Sequence, residues 1–161
     1  MEKRRKVTGT WRGSYGYSKP EILLTSARVP FTLVLKQGWF WRFSGTVTED
    51  EPLGMPGTGR VEGYYSFPRV EFTKWMPVGY TKTKDGNWIS LRDYLRSQQI
   101  ACDRDLPHAP IYYEGAFYDT GRIKGTWIIR EGHIPLPDGR ALPIGGASGD
   151  WEIEPQSVEK K

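Results

Sequence analysis

The sequence predicts an all-β protein, a single eight-stranded antiparallel up-and-down barrel with one short helix inserted between strands five and six. Three observations predict it. Apolar and polar residues alternate through one segment after another, as strands with one buried face require. A glycine, one spacer and a tryptophan recur at Gly9-Thr10-Trp11, Gly125-Thr126-Trp127 and Gly149-Asp150-Trp151, near both ends of the chain. Finally, Gly9, Gly13, Gly45, Gly59, Gly63, Gly115, Gly125 and Gly149 all share a face with the large apolar residues of their strands. Glycine weakens a strand, and tight coiling around a small barrel explains why it would be placed systematically on the inner face.

The first strand runs from Thr8 to Tyr17, with Trp11, Tyr15 and Tyr17 on one face. Residues 18–29 carry Ile22-Leu23-Leu24, which reads as a short edge piece or a packed loop. Pro30 to Gln37 aligns Phe31, Leu33 and Leu35, and a tight Gln37-Gly38 connection leads into Trp39 to Glu49, with Trp39, Trp41, Phe43 and Val47 on one side. Gly57 to Ser66 aligns Val61 with Tyr65. After Pro68, Arg69 to Met76 puts Lys74 in register with Val70, Phe72 and Met76. Regular alternation then stops over residues 78–110. Inside that insertion Ser90-Leu91-Arg92-Asp93 has the form of a capping box, and Leu91, Tyr94 and Leu95 make one apolar stripe, so a short helix is expected to end near Gln99. Ile111 to Tyr118 and Arg122 to Arg130 form a hairpin about Asp119-Thr120-Gly121. A Pro/Gly-rich connection over 131–147 precedes the closing strand, Ser148 to Glu154.

A chain of 161 residues is read as one domain, 1–161, with its core over about 8–154. Hydrophobic residues make up 37% and aromatic residues 14%, enough for a core that is aromatic more than aliphatic. Part of the net charge of +4 sits in Lys3, Arg4, Arg5 and Lys6 and in Lys160 and Lys161, within tails 1–7 and 155–161 read as solvated and flexible. No stretch approaches the roughly 20 apolar residues of a membrane helix, and no apolar run follows the basic start, so neither a membrane partner nor a secretory signal is expected. A single Cys102 makes no internal disulfide, and the expected location is cytoplasmic.

With Gly9-Thr10-Trp11 in the first of eight strands, the chain resembles the calycins, the barrels that include lipocalins, fatty-acid-binding proteins and avidins. The resemblance spans roughly residues 8–154. It implies that Trp11 packs across the closed end and that the interior could take a ligand. The threonine-aspartate-tyrosine motif of lipocalins and the helical lid of fatty-acid-binding proteins are both missing, so no particular ligand is carried over. The spacing of Gly9, Trp11 and Gly13 is also similar to the first strand of nitrobindins, whose haem needs an axial histidine. Here His108 and His133 both fall in connections beside proline, and no cofactor is expected.

Catalytic chemistry finds little support. Gly146-Ala147-Ser148-Gly149 lacks the spacing of a nucleophile elbow. The glycines of residues 54–59 are followed by neither Gly-Lys-Ser/Thr nor a helix that could hold phosphate. Cys102, Asp103, Asp105 and His108 do not make a standard zinc set. No catalytic or metal residue is assigned, and a non-enzymatic binding protein is expected.

Its ligand, a small apolar or aromatic molecule, would meet a wall formed by Tyr15, Phe31, Leu33, Trp41, Phe43, Tyr65, Phe72, Tyr113 and Trp127, with residues 81–110 over the open end. Lys74 adds a charge to the interior, where burial without a partner is costly, or else reaches out at the strand end. Phe40, Tyr64, Trp75, Tyr112 and Tyr118 share the outer faces with arginines. That surface offers an alternative function, protein contact or homo-oligomerisation; nucleic acid is not favoured as a partner.

Overall fold

The computed structural model describes residues 6–18, 28–51, 53–119, 121–136 and 138–156. Ile22-Leu23-Leu24 and the outer parts of both basic tails lie outside them. Eight long strands form the closed barrel: β1 (Gly9–Tyr17), β2 (Val29–Gln37), β3 (Arg42–Glu49), β4 (Thr58–Ser66), β5 (Arg69–Trp75), β8 (Ile111–Tyr118), β9 (Arg122–Ile129) and β12 (Ala147–Pro155). Each pairs antiparallel with its neighbours in the order β1-β12-β9-β8-β5-β4-β3-β2, and β1 seals the ring against β12 from Trp11 opposite Pro155 to Tyr17 opposite Gly149. Most large apolar strand side chains point inward and, Glu49 and Lys74 apart, the charged ones point outward, the reverse of a barrel that faces lipid. No helix is long and apolar enough to cross a membrane.

The recurrent glycine and tryptophan motif has a register explanation. In the β9–β12 pair Gly125 lies opposite Trp151 and Trp127 opposite Gly149; Gly149 leaves the gap that the Trp127 indole fills, and Gly115 of β8 leaves the one for Trp151. A Cβ at Gly149 would stand 2.6 Å from Trp127 Nε1, and one at Gly115 would stand 2.8 Å from Trp151 Cζ2. Both indoles also donate to backbone: Trp127 to Gly16 O at 3.0 Å, and Trp151 to Thr126 O at 3.0 Å and Glu114 O at 3.2 Å. The first motif works differently. Trp11 lies across the end of the barrel where the hairpins are tight, edge-on to Phe117, and donates to Val7 O at 2.7 Å, which fixes the buried Val7 beneath it.

Two assignments to the apolar face of the third strand are corrected, Trp39, which is 85% exposed, and Trp41. Trp41 belongs to the β2–β3 loop and is 50% exposed. Gly38 N–H donates to Arg42 O and Arg42 N–H to Trp39 O, and Phe40 and Trp41 both take left-handed φ values, 53° and 64°. That reversal ends the period of two, so β3 begins only at Arg42.

Four short strands stand outside the barrel, in two hairpins that alternation does not predict: β6 (Tyr80–Lys82) with β7 (Trp88–Ser90), and β10 (Gly132–Pro135) with β11 (Ala141–Ile144). The helix α1 (Leu91–Ser97) starts where Ser90 caps it, its side chain accepting from Asp93 N at 3.1 Å. Leu95 is buried, whereas Tyr94 is 38% exposed. Leu95 packs with Cys102, Leu106 and Leu136 in a satellite core that joins the two long connections, which gives Cys102 a packing role.

Candidate functional site

The long connections all leave from one end of the barrel, the end at which β1, β3, β5 and β9 finish. There the interior holds a charged group that strict alternation anticipates and another that it could have anticipated. Lys74 is buried with its ammonium 2.5 Å from Glu49 Oε2, and the two side chains are 2% and 0% exposed. Glu49 shares the parity of Phe43 and Val47, which is the signal for its inward direction. The opposite oxygen, Oε1, accepts from Tyr15 Oη at 2.5 Å and from Met55 N at 3.2 Å. Gly54 lets the β3–β4 connection cross tightly over the carboxylate, because a Cβ there would lie 2.3 Å from Glu49 Cβ. Lys74 also stands 5.4 Å from the centre of the Tyr15 ring. A buried ion pair recovers its desolvation cost only when its remaining hydrogen-bonding capacity is met, and three donors on one carboxylate go far toward that.

Above this pair lies a pocket of about 150 Å³. Tyr15, Tyr113 and Trp127, inward residues of β1, β8 and β9, form its inner wall, and Tyr17, Ile111 and Met55 continue it. Tyr17 meets Trp127 edge-on with ring centres 5.0 Å apart, and Tyr15 meets the same indole at 5.9 Å. Tyr80, Thr81, Lys82 and Trp88 of the β6–β7 hairpin cover the mouth, with Lys82 Nζ 4.8 Å over the Trp88 ring. His108 completes the cover, tied by its amide to Met76 O at 3.1 Å. The insertion therefore lies over the open end, where the sequence places it.

The site holds its protons firmly. Burial raises the Tyr15 and Tyr113 hydroxyls well above the ordinary value of 10, with the Glu49 charge adding to it, and burial pushes Tyr17 up to about 12. At neutral pH all three are O–H groups. Burial lowers His108 below its ordinary 6.5. Its Nδ1 lies 2.6 Å from Ala109 O, a contact that needs the proton on Nδ1 and leaves Nε2 of the neutral ring as an acceptor.

The remaining wall residues separate by depth. Phe31 packs beside Tyr15, and Leu33 is buried further along β2. Phe72 stacks on Tyr113 at 4.5 Å and meets Phe43 edge-on, filling the middle of the barrel. Tyr65 is buried near the opposite end, against Trp41. Of the ten interior candidates, Tyr15, Tyr113 and Trp127 thus line the pocket and Lys74 lies beneath it, while the others fill or flank the core. Tyr17, Glu49, Tyr80, Trp88 and His108 are the site residues that the sequence reading leaves out.

A broader concavity of about 1010 Å³ lies on the outer face of β3, β4, β5, β8 and β9. Its aromatic residues are engaged by their own sheet: Arg60 lies over Trp75 and Arg130 over Tyr112, each at 4.6 Å, and Tyr64 donates to Glu71. Among the described residues no cluster of histidine, cysteine and carboxylate could hold a metal. The inner pocket is about half the lower bound of ordinary ligand sites, roughly 300 Å³, and is too small for a haem, although His108 faces it. Compared with known protein families, curated proteins and solved structures, the chain matches none.

Proposed function

We propose that the protein is a non-catalytic, calycin-like binding protein that takes one small aromatic molecule into the mouth of its barrel. The observation that carries this reading is the pocket itself: aromatic walls from Tyr15, Tyr17, Tyr113, Trp88 and Trp127, closed by a hairpin, with Tyr15 and Met55 of the wall anchored to the buried Glu49 behind them. Rings set edge-on offer a planar guest the offset contacts that aromatic groups prefer. The volume suits a single-ring molecule. His108 Nε2 is an acceptor and the Lys82 ammonium a donor at the rim, so a ring bearing an N–H or O–H group fits better than a plain hydrocarbon.

Binding without catalysis fits the state of the charges. Both oxygens of Glu49 are taken by Tyr15, Met55 and Lys74, an arrangement that holds Tyr15 and Met55 in place and is poorly disposed to shuttle protons. The test is an NMR titration of the full chain with indole and with phenol as probes, alongside native mass spectrometry of freshly purified protein. Saturable shifts at His108 and at the Trp127 indole N–H, weakened in Tyr17→Ala, are expected. Absence of saturable binding by either probe, with no copurified small molecule, would remove the reading.

A further inference from the structure

At the opposite end of the barrel the tight hairpins leave apolar side chains in water. Trp39 and Phe40 are 85% and 87% exposed at the tip of the β2–β3 loop, and Phe67 is 52% exposed on the β4–β5 loop. Trp41, edge-on to Tyr65 at 5.5 Å, joins the first tip to the barrel rim. Bulky residues rarely adopt left-handed backbone, yet two in succession do so here, and the turn they make directs the rings away from the core.

The same end is basic. Both described termini, Lys6 and Gln156, emerge there, because β1 starts and β12 finishes at that end. Lys6, Lys36 and Arg42 are exposed and make no ion pair among the described residues; of the nearby acids, Asp119 and Glu71 are held by Arg122 and Arg69, and the exposed Glu154 at the end of β12 also acts on Arg122. Lys3, Arg4 and Arg5 immediately precede Lys6 in the chain.

We propose that this end docks on an anionic lipid bilayer, the aromatic tips entering the headgroup layer and the basic residues facing acidic lipid. Tryptophan and phenylalanine favour the interfacial layer, and clustered Lys/Arg is drawn to a negative leaflet; the combination is that of a peripheral anchor. Projecting rings on separate loops suit a soft layer that closes around them, whereas a protein partner would need a matching pocket for each. A contact of this kind needs no spanning segment, so the lack of an apolar stretch of that length does not oppose it. It is independent of the pocket at the other end.

The test is flotation of the purified full chain with vesicles of phosphatidylcholine plus phosphatidylserine, or of phosphatidylcholine alone, at low and at raised salt. Binding to the phosphatidylserine vesicles that weakens with salt is expected. The Trp39→Ser/Phe40→Ser variant should bind at least about tenfold more weakly, given the apolar area removed, while its circular dichroism spectrum and melting stay unchanged. A second variant, Phe67→Ser, should show a smaller loss. Failure of the wild-type protein to float with anionic vesicles would overturn the proposal. So would equal flotation of wild type and double variant, or a lipid-free dimer, seen by sedimentation velocity, that the double substitution abolishes.

Discussion

The two ends of the barrel are made from the same alternating strands and differ in almost everything else. At the end where the hairpins turn tightly, the interior is apolar, plugged by Trp11 against Phe117, and the surplus aromatic residues face outward. At the other end the connections are long, and they fold back over a mouth that contains Glu49, Lys74 and a cavity. Short turns leave no chain with which to cover an opening, so such an end must be filled from within. Long connections can form a roof, which makes it possible to leave space and to bury charge beneath it. The roofed cavity lies at the end with the long connections.

The sharpest way to break this contrast is at the buried pair. Lys74→Met leaves Glu49 buried without its cation, and a loss of about 3–5 kcal/mol is expected in urea unfolding. The double substitution Glu49→Gln/Lys74→Met should be less destabilised than Lys74→Met alone. If the single and double variants unfold alike, the pair is not what sustains the mouth. Next in size is Gly125→Ala, where the new Cβ would lie 1.8 Å from Glu114 O; overpacking of this kind costs about 1–3 kcal/mol. Its effect should appear as a lower melting temperature, with the pocket probes still binding to the folded fraction.

Smaller again is a pH effect confined to the mouth. His108 titrates below 6.5 in the folded protein, so the unfolded chain binds the proton more readily. Stability should be level above about pH 6.5 as far as this group is concerned, and should fall as pH drops from there toward the lowered folded value. His108→Asn should flatten that part of the curve, measured by urea midpoint against pH. The smallest expected effect is at the tight end. Trp39→Ser/Phe40→Ser removes exposed rings and should change unfolding free energy by no more than about 0.5 kcal/mol. A large loss there would show that the outward rings pack on the barrel, and would dissolve the difference between the ends.

The barrel was legible because its signal is repeated: every strand alternates, and the glycines and large rings share a parity that one strand alone could not establish. Part of the site was legible for the same reason, as Tyr15, Lys74, Tyr113 and Trp127 show. Glu49 carries the same signal, but a carboxylate at the last position of a strand, beside Asp50 and Glu51, reads as the start of a polar turn. Trp41 fails for the opposite reason. Its loop keeps the aromatic spacing of a strand while its backbone turns through left-handed conformations that aromatic residues do not advertise. His108, Tyr80 and Trp88 come from an insertion whose strands are three residues long, too short to set a period, and their position depends on how that insertion packs.

The crossed pairing of Gly125 with Trp151 and of Trp127 with Gly149 has a consequence for heredity. A Cβ at Gly125 would lie 1.8 Å from Glu114 O and one at Gly149 1.8 Å from Gly16 O, so the backbone of the next strand bars any side chain at either glycine, whatever residue faces it. Descendants of this chain should keep both glycines even where the tryptophans opposite them change.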